Sequence, residues 1–276
     1  MRRLLIVTAV EPEAAAVRAG LPATSRASDP SPHATLTATS EANGPGTHAP
    51  PPAAPEREPE RTGAHTQAGP TVAPALASPA APVIVHVEPV GVGPAAAAAG
   101  TARLLALAEA RGLPYDAVIC AGIAGGFAER APVGATILGA RSIAADLGAE
   151  AGDPTPGGPG FLSIEELGFG SSVVAADGAL LAALSAALPH AVVGDVLTLA
   201  TVTGTAATAD ALRARFPGAV AEAMEGHGVA VAAQGAGVAF VELRTVSNPV
   251  GPRDRAAWRL REAFSALTDA VAKACG

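Results

Sequence analysis

Aromatic residues are scarce in this chain. They make up 3% of its 276 residues, with one Trp and one Tyr, so Ala, Val, Leu and Gly must fill most of the interior. Cysteine is rarer: Cys120 lies inside an apolar run and Cys275 beside the C-terminus. Two cysteines so placed do not make a disulfide framework and read as reduced thiols. No apolar stretch approaches the roughly 18 to 20 residues of a membrane span. MRRLLIVTAV starts like a leader peptide, but Glu11 and Glu13 follow at once and no cleavage site does. The expectation is a soluble, cytoplasmic protein with no membrane partner. Positive charge is also short. The formal net charge of −7 leaves no basic stripe for nucleic acid. G-x-S-x-G, P-loop and C-x-x-C patterns are all missing, which removes the usual support for serine-hydrolase, nucleotidase and zinc readings.

Hydrophobic residues account for 49% of the chain, enough for a full core. Gly 31 and Pro 25 together exceed the usual share, and much of the excess falls in one place. Residues 21 to 82 hold 13 of the prolines and no aromatic residue or isoleucine. Such a stretch buries too little apolar surface to offset its ordering entropy, so it is expected to be a disordered insertion. Its histidines, His33, His48 and His65, are too dispersed for a metal site.

Elsewhere strand and helix signals alternate. RRLLIVTAV, VIVHVEPV, DAVICAG, ATILGARSIAAD, GDVLTLATVTG and VAFVELRTVS read as strands. EPEAAAVRAG, PAAAAAGTARLLALAEARG, GALLAALSAAL, TADALRARF and MEGHGVAVAAQGAG read as helices, and a closing helix is expected over PRDRAAWRLREAFSALTDAVAKAC. This alternation indicates an α/β fold, a single-domain αβα sandwich around a mostly parallel or mixed sheet.

Several short motifs stand at strand ends, where such folds keep their chemistry. GVGPAA, residues 91 to 96, has the G-x-G-x-x-A spacing of a dinucleotide site, but the next strand does not end in the acid that would grip a ribose. The milder reading is a glycine turn that lets a ligand approach backbone amides. AGIAGG, residues 121 to 126, is expected to be a second glycine turn, either a tight bend or a flat surface for a planar ligand. In AMEGHG, Glu225 is either a helix cap or an acceptor for sugar hydroxyls. His227 lacks a third ligand for a metal. Glu11 and Glu13 are either surface acids at a helix start or a catalytic carboxylate pair. Pro249 forbids the last strand from continuing in a ladder, so Ser247 and Asn248 should sit at its end.

LLIVTAVEPE, GVGPAAAA, CAGIAGG, FPGAVAEAMEGHGVA and LRTVSNPVG, in this order, resemble the nucleoside phosphorylase and nucleosidase superfamily. Within it the resemblance is closest to the adenosylhomocysteine and methylthioadenosine nucleosidases and, closer still, to the futalosine hydrolases of menaquinone biosynthesis. It covers residues 1 to 20 and 83 to 276. It implies that Glu13 activates the attacking water and that Arg244 helps hold that water and acid. Met224 would pack on the ribose face, Glu225 would accept the ribose hydroxyls, and Gly91 and Gly93 would border the water and sugar site. Ala200 to Thr203 would run along the base. There Val202 replaces an aromatic of the adenine-cleaving relatives, leaving apolar contact beside Thr203. Those relatives carry Asp where this chain has Asn248. An amide can donate to O6 or N7 of a 6-oxopurine, which a carboxylate cannot, so Asn248 favours a hypoxanthine nucleoside; otherwise it is a turn residue before Pro249. Arg253, just past that loop, is the candidate cation for the carboxylate at the 5′ side of futalosine.

The resemblance therefore implies hydrolysis of the futalosine N-glycosidic bond to hypoxanthine and dehypoxanthinyl futalosine, with no metal or organic cofactor. The implied partners are a small nucleoside and further copies of the chain in a homo-oligomer. The alternatives are a methylthioadenosine or adenosylhomocysteine nucleosidase, a purine nucleoside phosphorylase, and a non-catalytic nucleoside-binding protein. No Arg or Lys accompanies GVGP to hold phosphate, which favours water as nucleophile.

Overall fold

The computed structural model describes residues 2–25, 83–151 and 160–275. In chain order the strands are β1 Arg2–Thr8, β2 Val83–Pro89, β3 Ala117–Gly126, β4 Thr136–Ala144, β5 Gly148–Glu150, β6 Phe161–Ser163, β7 Val173–Ala175, β8 Val192–Thr198, β9 Ala219–Ala223 and β10 Ala239–Pro249. The helices are α1 Glu11–Gly20, α2 Pro94–Ala110, α3 Gly178–Ala187, α4 Ala206–Arg215, α5 Gly226–Gly235 and α6 Leu260–Cys275. No described helix is long and apolar enough to cross a membrane. The Pro-rich insertion lies outside the described residues from 26 onward. Its first residue, Leu21, is 4% exposed and belongs to the core, so ordered chain extends beyond the expected boundary at residue 20.

β1 shows why the layers form. Leu4, Leu5, Ile6 and Val7 are all buried, as expected of a parallel strand covered on both faces. Leu4 and Ile6 pack with Ala14 and Val17 of α1, Leu180 and Leu184 of α3, and Leu267 of α6. Leu5 and Val7 point the other way, to Leu104 of α2 and to Val229 and Ala230 of α5. This is the expected αβα sandwich, and its central sheet is mixed. β1 runs parallel to β2 and β3, and β10 parallel to β3. β10 is antiparallel to β4, and β9 to the end of β3.

The eight-stranded sheet is more than an open layer. Its order is β10-β4-β8-β9-β3-β1-β2, and β10 also pairs with β3. Five strands therefore close into a ring, with β1 and β2 as a flap beyond β3. Ala124, Ile137, Val196, Ala221 and Val246, drawn from all five, form one cluster.

Two expectations need correction, and one strand is unforeseen. AGIAGG is not a turn: β3 continues through Gly126, paired with β10 along its length. The glycines serve side-chain space instead, because a Cβ on Gly122 would lie 2.4 Å from Glu13 Oε1 and one on Gly126 2.2 Å from the Ala131 carbonyl. The closing helix starts at Leu260, not Pro252. Asp254 accepts a bond from Ala256 N–H to form a short 3-10 turn, and Arg259 N–H donates to the Ser247 carbonyl at 2.8 Å, which diverts the chain until residue 260. Finally, AVAEA is a ring strand, β9, that propensity alone does not suggest.

Helix packing delivers the site. α5 presses its first turn against the start of α2, so closely that a Cβ on Gly228 would lie 2.2 Å from the Pro94 carbonyl oxygen. That contact brings Glu225, the N-cap residue of α5, to Gly93, the N-cap residue of α2. Gly228→Val should therefore overpack the α2–α5 contact and lower stability by about 1–3 kcal/mol. Gly235→Ala, in the same helix but with open space around it, should raise stability by about 0.5–1 kcal/mol. Urea unfolding of both variants checks the pair.

Candidate active site

A gap in the β-ladder creates the site. On one edge of β3 the β1 pairing ends at Val7↔Cys120, and the β9 pairing begins at Gly125. Between them, the Ile123 backbone needs partners. Glu13 supplies one: its Oε1 accepts from Ile123 N–H at 2.9 Å. Arg244 supplies the other, Nη1 donating to the Ile123 carbonyl at 3.3 Å. Both side chains fill the space left by Gly122.

Glu13 sits in the first turn of α1, after Pro12, and is 3% exposed. Its Oε2 accepts from Ala9 N–H at 2.9 Å and Val10 N–H at 3.3 Å. Burial pushes its carboxyl above the ordinary range, while Arg244 and these amides pull it back. It is thus a buried acid and not a surface one, whereas Glu11 is exposed and pairs with Arg18.

Arg244 is the hub. It is 1% exposed. Nε donates to Glu242 Oε1 at 2.8 Å, Nη1 also reaches Glu225 Oε2 at 3.4 Å, and Nη2 donates to Cys120 Sγ at 3.2 Å. Burial would lower its pKa, but the surrounding Cys120, Glu242, Glu225 and Glu13 raise it overall. Glu225 closes the group, Oε1 accepting from Gly93 N–H at 3.2 Å and Oε2 from Met224 N–H at 3.3 Å. Met224 itself is half-buried. Gly93 and Gly91 take positive φ, 90° and 100°, where glycine is favoured. Gly91 N–H donates to the Ala9 carbonyl, tying the GVGP turn to the chain just ahead of Glu13.

A second group lies about 10 Å further along β3, at the rise of a strand. One cavity is lined by Gly125, Val202, Thr203 and Asn248, so the expected base residues come together, and Arg253, expected at the 5′ side, lines the same cavity. Arg253 sits over the Trp258 ring, 5.7 Å from its centroid. A β-bulge at Ser247 shifts the β10 register so that Asn248, not Ser247, stands beside Gly125; such bulges re-aim side chains. Ser247 Oγ donates to Asn248 Oδ1 at 2.9 Å, and Asn248 Nδ2 reaches the Pro249 carbonyl at 3.0 Å.

Three buried groups escaped the reading of the sequence. Glu242 is fully buried, holding Arg244 on one oxygen and accepting from Ser142 Oγ at 2.5 Å on the other; burial raises its pKa against both partners. Its signal was present: Glu242 and Arg244 are two apart on a strand and therefore share a face. Cys120, expected to be a reduced thiol, is a free cysteine whose Sγ accepts from Arg244 Nη2; burial raises its pKa well above the ordinary value. Glu222, on β9, lines the Asn248 cavity. His227 is drawn to a lower pKa by burial, and no group of three potential metal ligands occurs among the described residues.

The sequence profile of the phosphorylase superfamily matches residues 57–276. A futalosine hydrolase of Streptomyces coelicolor is 57% identical over 183 residues, covering 66% of this chain and 75% of that protein. The native structure of futalosine hydrolase from Helicobacter pylori superposes with a TM-score of 0.62 at 14% identity, covering 99% of this chain and 97% of that one. A methylthioadenosine/adenosylhomocysteine nucleosidase from Colwellia psychrerythraea, solved with adenine, gives 0.63 at 20% identity over 100% of this chain and 95% of that one. At these identities the structures speak to the fold alone, while the Streptomyces sequence reaches further: the chain belongs to the phosphorylase superfamily, in the family of the futalosine hydrolases.

Proposed function

We propose that this chain hydrolyses the N-glycosidic bond of futalosine, releasing hypoxanthine and dehypoxanthinyl futalosine. The observation that carries the chemistry is the pairing of Glu225 with buried Arg244, with Glu13 sharing the space over Gly122 with that arginine, beside a cavity containing Asn248. Bond cleavage builds positive charge on the ribose ring and negative charge on the departing purine. Glu13 takes the proton of the attacking water, whose oxygen bonds to the anomeric carbon as the C–N bond breaks, and the purine anion takes up a proton from solvent to leave as hypoxanthine. The Ala9, Val10 and Ile123 amides hold Glu13 in place beside Arg244, Glu225 accepts the ribose 2′- and 3′-hydroxyls and stabilises the cationic ring, and Met224 packs on the sugar. Gly91 and Gly93 border the sugar, Val202 and Thr203 lie along the base, and Asn248 donates to it as it leaves. Arg253 pairs with the carboxylate at the 5′ side of the substrate.

Water is the better nucleophile. Arg244 is 1% exposed and engaged with Glu242, Glu225, Cys120 and the Ile123 carbonyl, so it does not offer a cationic fork to phosphate. On the same reading the enzyme acts in the cytoplasm as a homo-oligomer and takes no nucleic-acid partner. It needs no metal or organic cofactor, because each role is filled by a side chain.

The direct test is base release from futalosine, inosine and methylthioadenosine, each with and without phosphate. Release of hypoxanthine from futalosine, indifferent to phosphate, is expected. Adenine release or a phosphate requirement would overturn the substrate or the nucleophile respectively.

The base role of Glu13 makes a second prediction. It must be ionised to act, and burial raises its pKa from 4.5. Activity should therefore fall as pH drops, along a limb above the ordinary carboxylate range. Glu13→Gln should lower kcat by about 10²–10⁴-fold and abolish that limb. A variant retaining the limb would assign it to another group.

A further inference from the structure

The second cavity contains a carboxylate with no part in the mechanism above. Glu222 is 5% exposed and lies on β9 directly opposite Gly125 of β3. On the other side of Gly125 stands Asn248 of β10, brought level by the Ser247 bulge. Ladder partners point their side chains to the same face. Here a Cβ on Gly125 would lie 3.1 Å from Val250 Cγ2, 3.4 Å from Asn248 Nδ2 and 3.5 Å from Glu222 Cγ, so an apolar methyl borders the position between the two polar groups. Glu222, Gly125 and Asn248 therefore form one row across three neighbouring strands: an acceptor, a slot without a side chain, and an amide. The outer two backbones are about 10 Å apart, twice the strand spacing.

The donors around Glu222 fix its chemistry. Thr203 N–H donates to Oε1 at 2.9 Å and Thr203 Oγ to Oε2 at 2.6 Å. Burial raises the Glu222 pKa overall, against both Thr203 donors; the geometry of those two bonds makes each carboxyl oxygen an acceptor. Each oxygen keeps a lone pair.

We propose that Glu222 is a specificity-determining residue that accepts a hydrogen bond from N1–H of a 6-oxopurine while Asn248 serves O6 or N7 of the same ring. This assignment rests on the nucleosidase reading above. A 6-oxopurine presents a donor at N1 beside an acceptor at O6, matching a carboxylate and an amide on either side of a flat glycine floor. A 6-aminopurine presents an acceptor at N1, which faces the carboxylate with no proton between them. Buried polar groups left unpaired in this way support discrimination of 10²-fold or more.

The test compares wild type with Glu222→Gln on futalosine and its N1-methylated form, and measures direct binding of hypoxanthine and 1-methylhypoxanthine by calorimetry. Wild type should prefer the N1–H compound by about 10²-fold in both kcat/KM and affinity. Glu222→Gln should lose most of that preference, through poorer use of the N1–H compound. If wild type binds both bases equally, or if the variant loses activity on both substrates by the same factor with the preference intact, Glu222 does not read N1 and the proposal falls. If futalosine is not cleaved by wild type while hypoxanthine still binds in preference to its methylated form, the reaction assignment fails and the N1 contact stands.

Discussion

A guanidinium with 1% of its surface exposed must be neutralised by the protein around it, and the placement of Arg244 governs most of the site. Burying one ion costs several kcal/mol unless charge and hydrogen bonds are returned to it. Here Glu242 takes Nε, Glu225 and the Ile123 carbonyl take Nη1, and Cys120 takes Nη2. Glu13 lies close enough for its charge to be felt. Three carboxylates around one cation exceed it in formal charge, and burial raises Glu13 and Glu242. The imbalance is useful: an acid held above its ordinary range is a stronger base once ionised.

The backbone is part of the same arrangement. β3 is shared by the flap and the ring, and where it passes from one to the other its edge lacks a strand partner. Glu13 and Arg244 satisfy the Ile123 peptide in that interval. The two candidate side chains thus replace ladder hydrogen bonds, which makes their positions as definite as those of strand residues. Glycine is required at Gly122 because any larger residue would overlap this pair. Glu225 depends on the fold differently. It is delivered by the contact of α5 with α2, through Gly228 and Pro94.

Much of this was legible in the sequence, for local reasons. α1 covers the expected EPEAAAVRAG because Pro12 and the acids favour a helix start and β-branched residues are few. The GVGP turn and the end of β10 at Pro249 follow from backbone chemistry alone. What stayed hidden was non-local. β9 is five residues, AVAEA, whose alanines carry no strand signal; it is a strand because β8 and β3 flank it. The AGIAGG glycines suggest a bend locally, but they make room for Glu13, Val250 and the Ala131 carbonyl from distant segments. Nothing local sets Glu222 apart from a surface acid; it is buried because β9 lies beside Gly125.

The most direct test of the hub is Arg244→Lys. Lysine keeps the positive charge but is a single compact donor, unable to span Glu242, Glu225, Cys120 and the Ile123 carbonyl together. Measured on protein shown to be folded by urea unfolding, kcat for futalosine hydrolysis should fall by about 10²-fold or more, as expected when positioning of a catalytic group is lost. Near-full activity in the lysine variant would mean that charge alone suffices, and that the geometry of the guanidinium does not organise this site.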